Sequence, residues 1–517
     1  MDSSKLQSGR RQFLAGSLAA AAGSLLPWDL LQAQTKDPKA LLNIAYMSDV
    51  PTWDPTAVTD PQPQSIYETV FDSPLRYSPT LQLQPRQITA WKWQDKNSQR
   101  LELTLRDDIY FHDGSKLTAE DLKWSVLDRP AMDKKIGAGA MFQTLKTVEI
   151  LSPTHAVLVY NVPTPTAPIY LGFLAGYIVP KQYMQKVGDA GFLAKPIGAG
   201  PYKLVDYQRG SRIVLEAFDK YWGGAPAFKR VIFQITPEPS ARVAAVESGR
   251  ADIAVQIPVR ETLRLAKTAG LTTKIYPYSE VYVLQIPNYV KPFDDDNVRA
   301  AMHYAIDTEA LSKAFYGGAA KSISVTAPPG TPGDVPGFKV PFDPQKAIAA
   351  LAKSGYGPNK PVKVPFLSTN GTFPSDYDMA RAIAGMWQRV GIEAQVQETM
   401  MAKAISEMDS AKLTGCLLYS WANSTADPEN YTGRMLDPNL PFSAWKEPAL
   451  GPRIGALFTE VDENKRLEGY RALNREASEK SWNIPLLQSV TTIAYRSSLN
   501  VPTFGSGLIL PVEYKPA

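Results

Sequence analysis

"RIVLEAFDKYWGGAPAFKRVIFQITPEPSARVAAVESGRADIAVQI", residues 212–257, holds four segments in a telling order. RIVLEA (212–217) and KRVIFQI (229–235) are short, β-branched and apolar, and read as strands. SARVAAVESG (240–249) has helical spacing, with Ser240 placed to cap it and Gly249 to stop it. ADIAVQI (251–257) returns to a strand pattern. Strand, helix and strand within 46 residues predict an α/β fold.

The same alternation continues on both sides. LLNIAY (41–46) and RLELTLR (100–106) read as strands, the second with Leu101, Leu103 and Leu105 on one face. IYFHDGSKL (109–117) reads as a strand entering a turn at Asp113-Gly114. TAEDLKWSVL (118–127) opens a helix with Thr118 and Asp121 in capping-box positions. VLVYNVPTPTAP (157–168) ends a strand in a proline-rich connector. Downstream, NVRAAMHYAI (297–306) is a helix whose start carries Asp294, Asp295 and Asp296, which suit the positive end of the dipole. DPQKAIAALAKSGYG (343–357) has Asp343 as cap, Pro344 in the first turn and Gly355 as stop. SDYDMARAIAGMWQRVG (375–391) sets Met379, Ile383, Met386, Trp387 and Val390 on one face and ends at Gly391. IEAQVQ and GCLLYSW are strands, and a long helix covers about 462–481. APPGTPGDVPGF (327–338) is a loop or linker.

A chain of 517 residues exceeds what one core usually serves, so two or more lobes are expected. Net charge is +4, too weak a bias to point to nucleic acid. A single cysteine, Cys416, excludes an internal disulfide, and three histidines thin the case for a transition-metal enzyme. Arg10-Arg11 followed by an Ala-rich apolar run marks residues 1–33 as a twin-arginine export signal with Ala33 before the cleavage point. No cysteine follows to carry a lipid, so a free periplasmic protein, a monomer, is expected.

No nucleophile elbow, zinc-protease helix, phosphate loop or dinucleotide fingerprint occurs. His112-Asp113 reads as a turn, His303 as a packed histidine, His155 as turn surface and Cys416 as a packed thiol. The Asp294–Asp296 run reads as a helix-end cluster rather than a cation site. Neither a catalytic group, a metal nor a cofactor is assigned.

Six stretches occur in an order that resembles one family: IYETVFDSPLRYSPTLQLQPRQITAWKWQ, LTLRDDIYFHDGSKLTAEDLKWSV, GAGPYKLVDYQRGSRIVLEAFDKYWGG, VAAVESGRADIA, NVRAAMHYAIDTEAL and FDPQKAIAALAKSGYG. The chain resembles the family 5 extracellular solute-binding proteins of ABC transporters, which include the dipeptide and oligopeptide receptors. The resemblance implies a two-lobed periplasmic binding protein fold (type 2) that closes like a flytrap, with a subdomain inserted in the first lobe. Lobe 1 is expected over 34–75, 196–288 and 490–517, the inserted subdomain over 76–195 and lobe 2 over 289–489. It also implies a non-enzymatic receptor that serves an ABC permease and its ATPase subunits.

YSWANSTADPENY (419–431) is where the resemblance bears on the ligand. Peptide-binding members carry an aspartate three residues after the tryptophan, and it grips the ligand amino terminus. Here that tryptophan is Trp421 and the position holds Ser424. Dipeptide receptors also supply an arginine from the loop that matches STNGTF (368–373), where Asn370 is the nearest candidate. An ammonium buried without an opposite charge costs several kcal/mol. A neutral or weakly charged solute is therefore expected, such as a glycoside, an opine-like conjugate or a modified peptide. Trp421 and Trp53 would stack on it, and Asn370, Asn423 and Ser424 would orient it; Tyr282 would line the hinge. Three alternatives stay open: a di- or oligopeptide receptor with its acid relocated to Asp49, Asp427 or Glu68, an exported enzyme on the same fold, and a receptor for nickel chelate or haem.

Overall fold

The computed structural model describes residues 41–58, 61–133, 136–423, 425–440 and 442–517. The expected export segment, 1–33, and Ser424 lie outside the described residues. The longer strands, in chain order, are β1 (Leu41–Tyr46), β2 (Ile88–Trp93), β3 (Arg100–Leu105), β4 (Leu145–Ser152), β5 (His155–Tyr160), β6 (Tyr202–Gln208) and β7 (Arg212–Ala217). They continue with β8 (Arg230–Ile235), β9 (Ile253–Val255), β10 (Leu271–Gln285), β11 (Val362–Ser368), β12 (Ile392–Glu398), β13 (Cys416–Ala422) and β14 (Asn483–Arg496). One sheet runs β12-β11-β13-β10-β14-β9-β1-β8-β7-β6, with Lys321–Ser322 paired to β14. A second runs β2-β3-β5-β4.

β10 and β14 explain how one sheet serves two lobes. They pair antiparallel from Leu271 opposite Arg496 to Gln285 opposite Asn483, far longer than their neighbours. At one end β14 pairs β9, beside β1 and its parallel partner β8. At the other end β10 pairs β13, beside the parallel strands β11 and β12. The register between β10 and β14 shifts between Pro277 and Val281, and again between Tyr282 and Val283. Such irregularities bend a ladder and re-aim its side chains.

Three large apolar cores follow this division. One gathers Leu42, Ile44, Phe71, Phe233, Ile253 and Tyr514. A second fills the face of β2 to β5 with Leu101, Leu103, Leu105, Leu158 and Tyr160. A third packs Tyr282, Leu284, Met302, Phe366, Ile383 and Trp387. Tyr177, Met184 and Phe192 pack in the first core although they lie within the stretch expected as the insertion. The helix over 181–194 thus returns to the body of lobe 1.

Most local expectations are met for the stated reasons. Thr118 and Asp121 form a reciprocal capping box. Asp343 caps Pro344–Lys353 through the Lys346 amide, and Asp295 accepts from the amides of Asn297 and Val298. Met379, Ile383 and Trp387 are fully buried on one face of Asp376–Gln388, and Gly391 follows at φ 99°. His112 is half-buried against the carbonyl of Gly200, and His303 is buried facing Ser481. Cys416 is fully buried.

Several details differ. The helix after β8 starts at Pro239 with Glu238 at the cap position, not Ser240, because a proline with fixed φ suits the first turn. Residues 109–117 make only an isolated Tyr110–Lys116 bridge around the Asp113-Gly114 turn. His155 opens strand β5 instead of lying in the turn before it. The 327–338 loop is irregular but tied down, since Asn474 donates to the Gly333 carbonyl at 2.8 Å.

Candidate functional site

In open α/β sheets, ligands bind outside the carboxyl ends of parallel strands. Here those ends belong to β1, β11 and β13, and the loops that leave them carry the residues singled out from the sequence.

After β1, Trp53 is only 4% exposed. It meets Tyr207 edge-on at 5.3 Å, and its indole Nε1 is buried with no partner among the described residues. Asp49 fastens this loop: it accepts from the Tyr207 hydroxyl at 2.9 Å and the Gly210 amide at 2.7 Å. Tyr67 donates to the Thr52 carbonyl at 2.6 Å.

After β11, Asp376 organises the whole turn. Its carboxylate accepts from the amides of Gly371, Thr372 and Phe373 and from the Thr369 hydroxyl. Asn370 is exposed and donates to Glu398 at 3.2 Å, so its amide aims at the end of the edge strand β12. Tyr282 is fully buried, and its hydroxyl and that of Tyr316 both donate to the Pro374 carbonyl. Tyr282 therefore holds the far end of this loop from within the lobe 2 core.

After β13, Trp421 is 9% exposed and packs between Tyr419 and Phe442 over Val281, Val283 and Tyr431. Asn423 is fully buried and uses its amide inside its own turn, accepting from the Thr425 amide at 3.0 Å and donating to the Asp427 carbonyl at 2.9 Å. What Asn423 gives the site is the hydrogen bonding that fixes Thr425 and Asp427 after β13.

The acids weighed as relocated anchors have other partners. Asp427 is held bidentately by Arg466 at 2.9 and 2.6 Å, with both side chains buried. Asp49 is occupied as described. Glu68 lies within the lobe 1 helix Gln64–Phe71, accepts from Tyr177 at 3.1 Å, and burial raises its pKa.

Glu280 is the acid that the sequence reading missed. It stands on β10 within the first register shift, between Pro277 and Val281, where the strand passes from one lobe to the other. It is half-buried, accepts from the Ser420 hydroxyl, and pairs with no cation among the described residues. Burial pushes its pKa up to about 7, with the Ser420 bond opposing. Its sequence context offered a clue: Tyr278-Ser279-Glu280-Val281-Tyr282 puts a charge inside an aromatic, apolar strand.

A second polar contact joins the small-sheet region to lobe 2. Thr166 donates to Glu429 at 2.8 Å, and the Tyr170 hydroxyl donates to the other oxygen of Glu429. Arg434 donates to the Tyr170 oxygen at 3.1 Å and stands 4.0 Å from Glu429. Burial raises the Glu429 pKa, with Arg434 opposing.

Among the described residues, no three His, Cys, Asp or Glu side chains are grouped so as to hold a metal ion, and no helix is long and apolar enough to cross a membrane.

Residues 82–440 match the family described as bacterial extracellular solute-binding proteins, family 5 Middle. The dipeptide-binding protein of Escherichia coli K12 is 26% identical over 414 residues, covering 74% of this chain and 77% of that protein. The periplasmic binding protein DppA from Helicobacter pylori, solved with the peptide STSA, is 19% identical with a TM-score of 0.79, over 92% of this chain and 98% of that one. NikZ from Campylobacter jejuni, solved with Ni(L-His), is 20% identical with a TM-score of 0.78, over 91% and 98%. These likenesses confirm the two-lobed α/β fold with its additional sheet. The chain belongs to the family 5 bacterial extracellular solute-binding proteins, non-enzymatic binding components of ABC transporters.

Proposed function

We propose that the protein captures a peptide-like or other small organic solute between its lobes and delivers it to the membrane permease of an ABC importer. The observation that carries this reading is the β10–β14 pair. Both lobes hang on these two strands, so bending at their irregular middle opens and closes the loops that follow β1, β11 and β13. Closure coupled to occupancy gives the permease a state to recognise. Trp53 and Trp421 supply aromatic surface at the two sides, while Asp376, Asn423 and Tyr282 shape the loops. Asn370 lies at the rim, and Ser424, next to Asn423 in the sequence, stands as a proposed orienting group. The lobe boundaries drawn from the sequence, 34–75 with 196–288 and 490–517, 76–195, and 289–489, stand as the proposed domains except that the helix over 181–194 goes with lobe 1, in whose core it packs. The Arg10-Arg11 run supports export to the periplasm by the twin-arginine route.

The peptide-like class is favoured over the metal-chelate class because three histidines leave few soft donors for a metal complex. Native mass spectrometry of freshly purified protein, followed by a thermal-shift screen, tests the function. A carried or added solute should raise the melting temperature, since ligand at a hundred times Kd adds about 2.7 kcal/mol. Recovery of a chemically altered solute would replace the receptor with an enzyme.

A further inference from the structure

The crossing between the lobes holds an acid, Glu280, that pairs with no cation among the described residues. It is carried there by a strand that also leaves Tyr276, Pro277 and Tyr278 partly exposed beside it. The groups that face it are the hydroxyl of Ser420 on β13, Tyr278 and Tyr282 on β10, Tyr316 from helix Thr308–Tyr316, and Tyr431. All are neutral at pH 7, because burial raises each of these tyrosines. Lys321, opposite Gln488 in the register with β14, is solvent-exposed. The remaining acids near the loops are already satisfied: Asp427 by Arg466, Asp376 by its turn, Asp49 by Tyr207 and Gly210. An unpaired carboxyl in a low-dielectric cleft is unfavourable to the empty protein. It persists where a ligand supplies the missing charge.

We infer that Glu280 is the anionic anchor of the cleft and that the solute carries a protonated primary amine, held against Glu280 beside Ser420. This rests on the solute-receptor reading and narrows it to amine-bearing ligands. It also reverses the expectation of a neutral ligand drawn from Ser424. The hydroxyl at 424 removes the charge from one strand end, and Glu280 supplies it from the adjacent strand β10. Closure would bury the ammonium between the Glu280 carboxylate and the aromatic walls, where a charge-assisted bond is strong.

The test uses dialysed full-length protein and a panel of di-, tri- and tetrapeptides with free amino termini, their N-acetylated counterparts, and neutral oligosaccharides. Binding is read by thermal shift and calorimetry. Free-amine peptides should bind wild type at least ~10-fold more tightly than acetylated ones, and Glu280→Gln should remove most of that difference while leaving acetylated peptides unchanged. Capture of the ammonium should also expel about one proton at pH 6, seen as a buffer-dependent heat that Glu280→Gln lacks. If Glu280→Gln does not fold, the wild-type comparison and its proton release decide alone. Equal binding of free and acetylated peptides, tight binding of an uncharged sugar, or no proton release would overturn the anchor and leave the receptor intact. Failure of every compound to bind would remove the peptide-like reading and the anchor with it.

Discussion

At the scale of single residues, buried charge shows which groups serve the fold and which remain free for a ligand. Asp427 and Arg466 neutralise one another. Replacing Asp427 by Asn should strand a buried guanidinium and cost ~3–5 kcal/mol in urea unfolding, and adding Arg466→Met should recover much of that. Glu280 behaves in the opposite way. Its folded pKa, about 7, lies above the unfolded value, so the folded state holds the proton more tightly. Stability of the ligand-free protein should therefore fall as pH rises from ~4.5 through 7, and Glu280→Gln should flatten that slope. His112 and His303 carry the reverse sign. Burial lowers both to about 4, so the unfolded chain takes up protons first, and stability is lost as pH falls from ~6.5 towards 4. Melting curves across pH 4–8 for wild type and each variant separate the two trends. Residue types alone did not show which candidates would be enclosed. Asn423 and Tyr282 were visible as polar and aromatic groups near the strand ends. Their use as turn-builder and loop-holder depends on partners such as Asp427 and Pro374, which only the folded chain brings close.

At the scale of elements, caps and stops carry most of the readable information. The Thr118–Asp121 box, the Asp343 cap and the Gly391 stop follow rules that act within four residues, so the sequence shows them directly. Thr118→Ala should cost ~1 kcal/mol, measured by chemical denaturation. Gly391→Ala should cost more, because a Cβ there would lie 2.3 Å from the Gly357 carbonyl carbon and φ is 99°. The β10 bulge was not readable, because a register shift is a property of two paired strands. The Ser240 cap failed for a local reason, since Pro239 competed for the same turn.

At the scale of the whole molecule, alternation of strands and helices gave the α/β class and the ordered stretches gave the family, while strand order stayed hidden. β14 lies between β9 and β10 although some 200 residues separate it from either, and no local pattern encodes that pairing. The Glu429 contact belongs to this scale because it spans segments 260 residues apart. Tyr170→Phe should weaken this contact between the small-sheet region and lobe 2, enlarge the average dimension in small-angle scattering, and lower apparent affinity several-fold.

The position of β14 has a consequence for how the chain is made. A ribosome that has delivered residues up to 480 has released two half-sheets, one ending at β9 and the other at β10, each with an open flank. Unpaired strand flanks invite association with other chains. β14 closes both at once when it emerges, so a truncation before β14 should yield aggregated protein instead of one sound lobe.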